Sequence, residues 1–522
     1  MPETLLLAVD QGTTGTTALL VTLDGTVRRR AHREVPVTYP RSGWVEQDAL
    51  DLEASVIEAC RDLLDGDDAL RPAALGITNQ RETVVVFERD TLRPVAPAIV
   101  WQCRRSAEIC EEHRRAGEED ELRRRTGLLL DPYFSATKVE WLLRERPELR
   151  ARAERGELCA ATVDAWLIAR LTGDGHDVRT DASNASRTLL YDLHRGDFSD
   201  ELCGVFGVPR AMLPSVHDSA GRLGVTDPGR FLGRAIPISG VAGDQQAALF
   251  GQACCSPGMS KNTYGTGSFV LVNVGDEAPA FLGADAPGGR STPTPSPAAG
   301  VRPDDSVPPR HGLLTTVAWR IGGRDTFALE GSIFVTGAGI KWLRDGLGLI
   351  QASAEAGPLF DSVPDAAGCF FVPAFAGLGA PYWDPGARGA LVGLSAGVTR
   401  AHVVRAVVEA MAYRTRDVVE AMERSAGIEF DELRVDGGAS VMDGMCQFQA
   451  DLLGLPVARA GSAETTAVGA AWLAAVGEGL LDGPDAVAAA YRPGRRFEPR
   501  HAGVRPQAEY AAWLDAVRRV RS

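Results

Sequence analysis

The sequence predicts an α/β protein with two halves of similar design, on three observations. Short buried strands alternate with helix-period stretches from the N-terminus onward, the pattern of an α/β architecture. The same style returns in the second half. Turns rich in aspartate and glycine follow strands in both halves, at Asp10-Gln11-Gly12-Thr13-Thr14-Gly15 and at Asp436-Gly437-Gly438-Ala439.

Residues 5–9 are an apolar run that stops at Asp10 and reads as a buried strand. Strands over 18–23 and 26–35 flank Asp24-Gly25, and Asp-Gly between apolar runs is a strong hairpin signal. Leu52, Val56, Ile57, Leu63 and Leu64 stand near helical spacing and predict a helix over 48–64. Residues 74–78 form a further buried strand. In the second half, 262–274 is β-rich around Tyr264-Gly265-Thr266-Gly267. Val403, Val407, Ala410 and Met411 mark one face of a helix over 399–424. A strand at 433–435 then enters the Asp436 turn. Residues 275–311, with prolines from Pro279 to Pro309 among many Gly, Ser and Ala, read as a mobile surface insertion. Such a composition cannot bury enough surface to order itself.

At 522 residues the chain has room for about two to four domains. The balance of 55 basic against 69 acidic residues leaves a net charge of −14, which argues against a nucleic-acid binder. Among the basic residues only Lys138, Lys261 and Lys341 are lysine, and the rest are arginine. They follow Thr137, Ser260 and Ile340, so none completes the G-x-x-x-x-G-K-[ST] phosphate loop. The nine cysteines form no C-x-x-C, which speaks against a zinc ribbon or disulfide framework and fits a reducing compartment. The first apolar run has no basic flank, unlike a signal peptide, and no stretch approaches the ~18 apolar residues of a membrane span. A cytoplasmic protein without a membrane span is expected.

Three turns could hold phosphate through backbone N–H groups and hydroxyls: Asp10 to Gly15, Tyr264-Gly265-Thr266-Gly267-Ser268, and Asp436 to Ser440. Asp10 could also hold hydrated Mg²⁺. Each turn taken alone is more often a plain hairpin or strand end, and spacing alone does not show that they converge. Arg81-Glu82 is readable as a surface ion pair or as a polyol site, in which carboxylate and guanidinium satisfy adjacent hydroxyls. Asp244, in Gly243-Asp244-Gln245-Gln246, is a candidate general base or a structural turn aspartate. Gly393-Leu394-Ser395-Ala396-Gly397 satisfies G-x-S-x-G, but the helix predicted after it starts too late for a nucleophile elbow.

Together these segments resemble the FGGY family of carbohydrate kinases, most closely its glycerol-phosphorylating members. The resemblance runs over nearly the whole chain. It is carried by residues 76–83 (GITNQRET), 101–105 (WQCRR), 133–141 (YFSATKVEW), 243–251 (GDQQAALFG), 375–385 (FAGLGAPYWDP) and 389–409, the last of which contains the G-x-S-x-G. It implies two ribonuclease-H/actin-like lobes flanking a catalytic cleft, over residues 1–251 and 252–522. It implies ATP and Mg²⁺ as cofactors, glycerol as substrate and assembly as a homo-oligomer, dimer or tetramer. By position, Arg81, Glu82, Tyr133, Asp244 and Gln245 would bind the glycerol hydroxyls, and Trp101 and Phe269 its carbons. Asp244 would be the catalytic base and, with Asp10, would hold the metal. Thr13, Thr14, Gly15 and Thr266 would meet the nucleotide phosphates, while Gly337, Lys341, Gly438 and Met442 complete the nucleotide side. A kinase for another small polyol or ketose, or a non-catalytic polyol-binding paralogue, are the alternatives.

Three positions depart from the family pattern, all on the nucleotide side. Thr17 stands where an arginine is usual, Lys341 replaces a glutamine, and Met442 replaces an asparagine. One reading is that a phosphate nest with Mg²⁺ tolerates these losses. The other is that Lys341 supplies a compensating charge and Met442 a soft contact to adenine.

Overall fold

A computed structural model describes residues 3–66, 70–279 and 312–522. Most of the proline-rich stretch expected to be a mobile insertion, 280–311, lies outside the described residues.

Among the described residues a mixed sheet of thirteen strands runs through the molecule, and its two halves repeat one plan. In the first half Leu5–Gln11 pairs antiparallel with Gly15–Thr22, which pairs antiparallel with Val27–Glu34. On its other side Leu5–Gln11 runs parallel to Leu75–Asn79, and that strand runs parallel to Pro237–Gly243. In the second half Ser260–Tyr264 pairs antiparallel with Ser268–Gly275, which pairs antiparallel with Arg324–Ile333. Its other neighbour is the parallel strand Leu433–Gly437, followed by Val457–Ala460. The halves meet between Ala220–Val225 and Leu313–Ile321, through the single register pair Ala220 with Ile321.

Local chemistry explains most boundaries. The helix expected over 48–64 is Ala49–Leu64, and the Asp48 side chain accepts from the Leu50 N–H as its N-cap. It buries Leu52, Val56, Ala59 and Leu63. Arg400–Ala426 follows Thr399, whose backbone N–H donates to His402 Nδ1, and ends at Gly427 in the left-handed region. No helix begins at Ser395, so the G-x-S-x-G lacks an elbow. Asp244 does not sit in a free turn. It is the first residue of the helix Asp244–Gly251, directly after the strand Pro237–Gly243, where a carboxylate complements the helix dipole.

The helix Thr465–Gly477 is apolar on all sides, the signature of a fully buried helix. Its packing partners are the strands of the first half and the helix Asp244–Gly251. Glycines make this approach possible. A Cβ on Gly76 would lie 2.2 Å from the Ala470 carbonyl oxygen, and one on Gly469 would lie 1.9 Å from that of Ala247. Trp472 closes the end of the layer, donating its indole N–H to the Leu23 carbonyl at 3.0 Å.

Candidate active site

The ends of the central strands in both halves deliver the polar residues to one region. Arg81 and Glu82 follow Leu75–Asn79 and are buried, so the surface ion-pair reading does not hold. Glu82 has a φ of 61°, and the Thr83 N–H donates back to the Arg81 carbonyl at 2.8 Å. A non-glycine residue in this conformation costs about 1–3 kcal/mol and persists where its surroundings fix it. Here they are ionic. Arg81 reaches Glu330 at 2.5 Å and Asp244 at 3.1 Å, while Arg187 reaches Glu82 at 2.7 Å and Glu330 at 2.9 Å.

This cluster sets the local charges. Burial pushes the Glu330 carboxyl upward, but Arg187 and Arg81 outweigh it and hold it down at about 2. Burial raises the Glu82 carboxyl, against the pull of Arg187 and Arg81. Arg187 and Glu330 were not among the residues expected from sequence. The only trace of Glu330 there is a lone charge in the apolar strand around it.

Apolar walls flank the cluster. The guanidinium of Arg81 lies over the Phe269 ring at 5.6 Å. The rings of Trp101 and Tyr133 meet edge to face at 5.4 Å. Lys138 holds the Tyr133 segment from below: its sealed ammonium donates to the carbonyls of Pro132, Tyr133 and Phe134, at 2.8, 2.5 and 2.9 Å. All three of its donors are used, and burial lowers this lysine to about 8.

The Trp101 indole donates to the Thr13 hydroxyl at 2.9 Å, tying the first glycine turn to the aromatic wall. That turn closes where the Gly12 N–H donates to the Gly15 carbonyl at 2.9 Å, and Thr14 at its tip is exposed. Asp10, just before it, has a carboxyl pushed up to about 7 by burial, then by the charges of Asp244 and Glu464. Among the described residues no group of three or more His, Cys, Asp or Glu could hold a metal alone. Asp10, buried beside the like charges of Asp244 and Glu464, instead fits one carboxylate ligand of a cation such as Mg²⁺ that brings water and phosphate oxygens as further ligands.

The second turn carries Thr266 at an exposed tip. Its backbone receives the start of Gly337–Lys341: the Gly337 N–H donates to the Gly265 carbonyl and the Ala338 N–H to that of Thr266, both at 3.0 Å. The third turn packs on the same strand end, since a Cβ on Gly437 would lie 2.4 Å from the Tyr264 carbonyl. Gly438 beyond it is exposed with open space before it, and Met442 is half-buried at the cap of Asp443–Leu453. Gln245 joins this side to the first, accepting from the buried Lys261 ammonium. Lys341 is exposed and forms no hydrogen bond or ion pair among the described residues. Thr17, at the position of the missing arginine, instead bonds His32 Nδ1 at 3.0 Å.

A doubled α/β fold with glycine turns and a buried Arg–Glu cluster at the ends of its central strands has the layout that a carbohydrate kinase requires. The chain belongs to the FGGY family of carbohydrate kinases: the family's N-terminal domain matches residues 5–251 and its C-terminal domain residues 261–478. Within that family its relatives include glycerol kinases. Glycerol kinase 2 of Thermotoga maritima is 47% identical over 517 residues, covering 98% of both chains. The glycerol kinase of Carboxydothermus hydrogenoformans is 47% identical over 524 residues, covering 100% of this chain and 99% of its own. Among solved structures, Plasmodium falciparum glycerol kinase with ADP superposes with a TM-score of 0.86 at 29% identity, covering 99% of this chain and 98% of that one.

Proposed function

We propose that the protein transfers the terminal phosphoryl group of ATP to glycerol, giving sn-glycerol 3-phosphate and ADP. The observation that carries this is the buried Arg81–Glu82–Arg187–Glu330 cluster beneath Asp244, walled by Trp101, Tyr133 and Phe269. Full-length glycerol kinase relatives and an ADP-bound one support it. A small triol needs paired donors and acceptors for adjacent hydroxyls and an apolar surface for its carbons, and this site offers both.

Asp244, held by Arg81, takes the proton of the attacking hydroxyl as the new O–P bond forms and the bond to ADP breaks. Arg81, Glu82, Tyr133 and Gln245 orient the hydroxyls, while Trp101 and Phe269 fix the carbon chain. Thr13, Thr14, Gly15 and Thr266 receive the phosphates, and Gly337, Lys341, Gly438 and Met442 line the nucleotide side. Asp10 and Asp244 would hold Mg²⁺, which neutralises phosphate charge when bound.

The matched spans support lobes over 1–251 and 252–522. The described cysteines are all unpaired, and no helix among the described residues is long and apolar enough to cross a membrane. Free cysteines support work in the reducing cytoplasm, and a dimer or tetramer is the assembly we expect. Glycerol-dependent ADP release by the purified protein with MgATP tests the reading. Absence of turnover with glycerol beside turnover with a ketose would overturn it, and tight glycerol binding without turnover would favour a sensor.

A further inference from the structure

Lys261 stands on Ser260–Tyr264, sealed from solvent, with its Nζ donating to Gln245 Oε1 and, at 3.0 Å, to Thr263 Oγ1. An ammonium has three donors and no acceptor. The amide beside it therefore has one allowed orientation, with its oxygen toward the lysine and its nitrogen away. The Gln245 Nε2 forms no hydrogen bond among the described residues, so both its N–H groups are free. The next residue toward the N-terminus is Asp244, held by Arg81 at 3.1 Å.

We propose that Lys261 is a positioning residue for substrate recognition: it locks the Gln245 amide so that the pocket presents two N–H donors at this point. The inference rests on the glycerol reading above. A hydroxyl that gives its proton to a carboxylate keeps lone pairs that can accept from those N–H groups. With its amide reversed, Gln245 would present an oxygen and compete with Asp244 for the same proton.

The chain writes nearly every cation as arginine, yet this sealed position holds lysine. A compact ammonium with rotatable donors serves an amide oxygen and a hydroxyl at once. Burial lowers Lys261 to about 8, while the charges of Asp436 and Asp244 favour its protonated form.

The test is a mutant cycle on the full chain, reading kcat and the KM values for glycerol and ATP in wild type, Lys261→Met, Gln245→Ala and the double variant. Lys261→Met should raise the glycerol KM about tenfold, the scale of one lost charge-assisted contact, and leave the ATP KM in place. Added to Gln245→Ala, it should change the glycerol KM no further. Gln245→Glu keeps an acceptor for Lys261 but has no N–H, and should weaken glycerol as much as Gln245→Ala. A shift in the ATP KM alone, multiplicative effects in the double variant, or a Gln245→Glu enzyme with wild-type glycerol KM would each overturn the proposal. If Lys261→Met does not fold, Lys261→Gln, shorter and uncharged, takes its place in the cycle. A wild type inert toward glycerol overturns the functional reading as a whole, whereas an active wild type with an additive cycle overturns this inference only.

Discussion

Arg187 and Glu330 face each other at 2.9 Å with neither side chain open to solvent. They come from the two halves of the molecule, and with Arg81 and Glu82 they form one charge-compensated unit beneath the candidate base. Removing one member leaves uncompensated buried charge, which costs more than the pair gains. Glu330→Gln should therefore lower unfolding free energy by about 3–5 kcal/mol and raise the glycerol KM, because Arg81 loses its anchor. Urea unfolding and steady-state kinetics measure the two effects. Unchanged stability would mean that the cluster relaxes or admits water.

Asp244→Asn keeps the shape of the side chain and removes the proton acceptor. Loss of a general base lowers turnover by about 10²–10⁴-fold, and kcat should fall within that range while calorimetry still detects glycerol binding. Turnover near the wild-type rate would remove Asp244 from the base role.

Asp10 gives a pH signature. Its carboxyl is raised to about 7 in the folded protein, so the folded state keeps a proton that the unfolded chain has released from about pH 4 upward. Folding stability owed to this group falls as pH rises across that window. A bound cation replaces the proton, so Mg²⁺ with ADP should raise the melting temperature more near about pH 8 than near about pH 5.5. Asp10→Asn should flatten both the pH slope and the Mg²⁺ effect. Equal stabilisation at the two pH values would count against Asp10 as a metal ligand.

Lys341 ends the short helix that starts on the Thr266 turn and forms no hydrogen bond or ion pair among the described residues. If it compensates for the arginine missing at Thr17, Lys341→Gln should raise the ATP KM about three- to tenfold, the worth of a partly exposed charge contact, and leave the glycerol KM alone. An unchanged ATP KM identifies the substitution as neutral.

Gly469 sits where the helices Asp244–Gly251 and Thr465–Gly477 cross. A methyl group there would lie 1.9 Å from the Ala247 carbonyl oxygen, so Gly469→Ala must push two backbones apart. A loss of about 1–3 kcal/mol or more in stability is expected from such overpacking, readable as a lower thermal midpoint. Wild-type stability would show that the crossing is looser than its contacts imply.

Elements with local causes were legible in the sequence. The Ala49–Leu64 helix carries its own period and its Asp48 cap, and Leu5–Gln11 is an apolar run ended by its own polar residues. Long-range relations were not. Arg187 and Glu330 are separated by 143 positions and meet only through the sheet. The burial of Arg81 and Glu82 depends on partners that no local pattern announces. The Asp244 helix starts at once after a strand, leaving no separate turn signal. Most glycerol-site positions were reached by resemblance, and the rarity of lysine set Lys138, Lys261 and Lys341 apart without giving Lys261 a role.

The placement of Thr465–Gly477 also dictates an order of events during synthesis. Leu6, Ala8, Leu19 and Val21 share a hydrophobic cluster with Ala467, Val468 and Ala471. A ribosome that has released the first 251 residues has thus released a sheet whose cover is still untranslated. That face must wait through more than two hundred further codons before its own chain can close it, so the nascent first half is a natural client for chaperones, and truncation before residue 465 leaves it open.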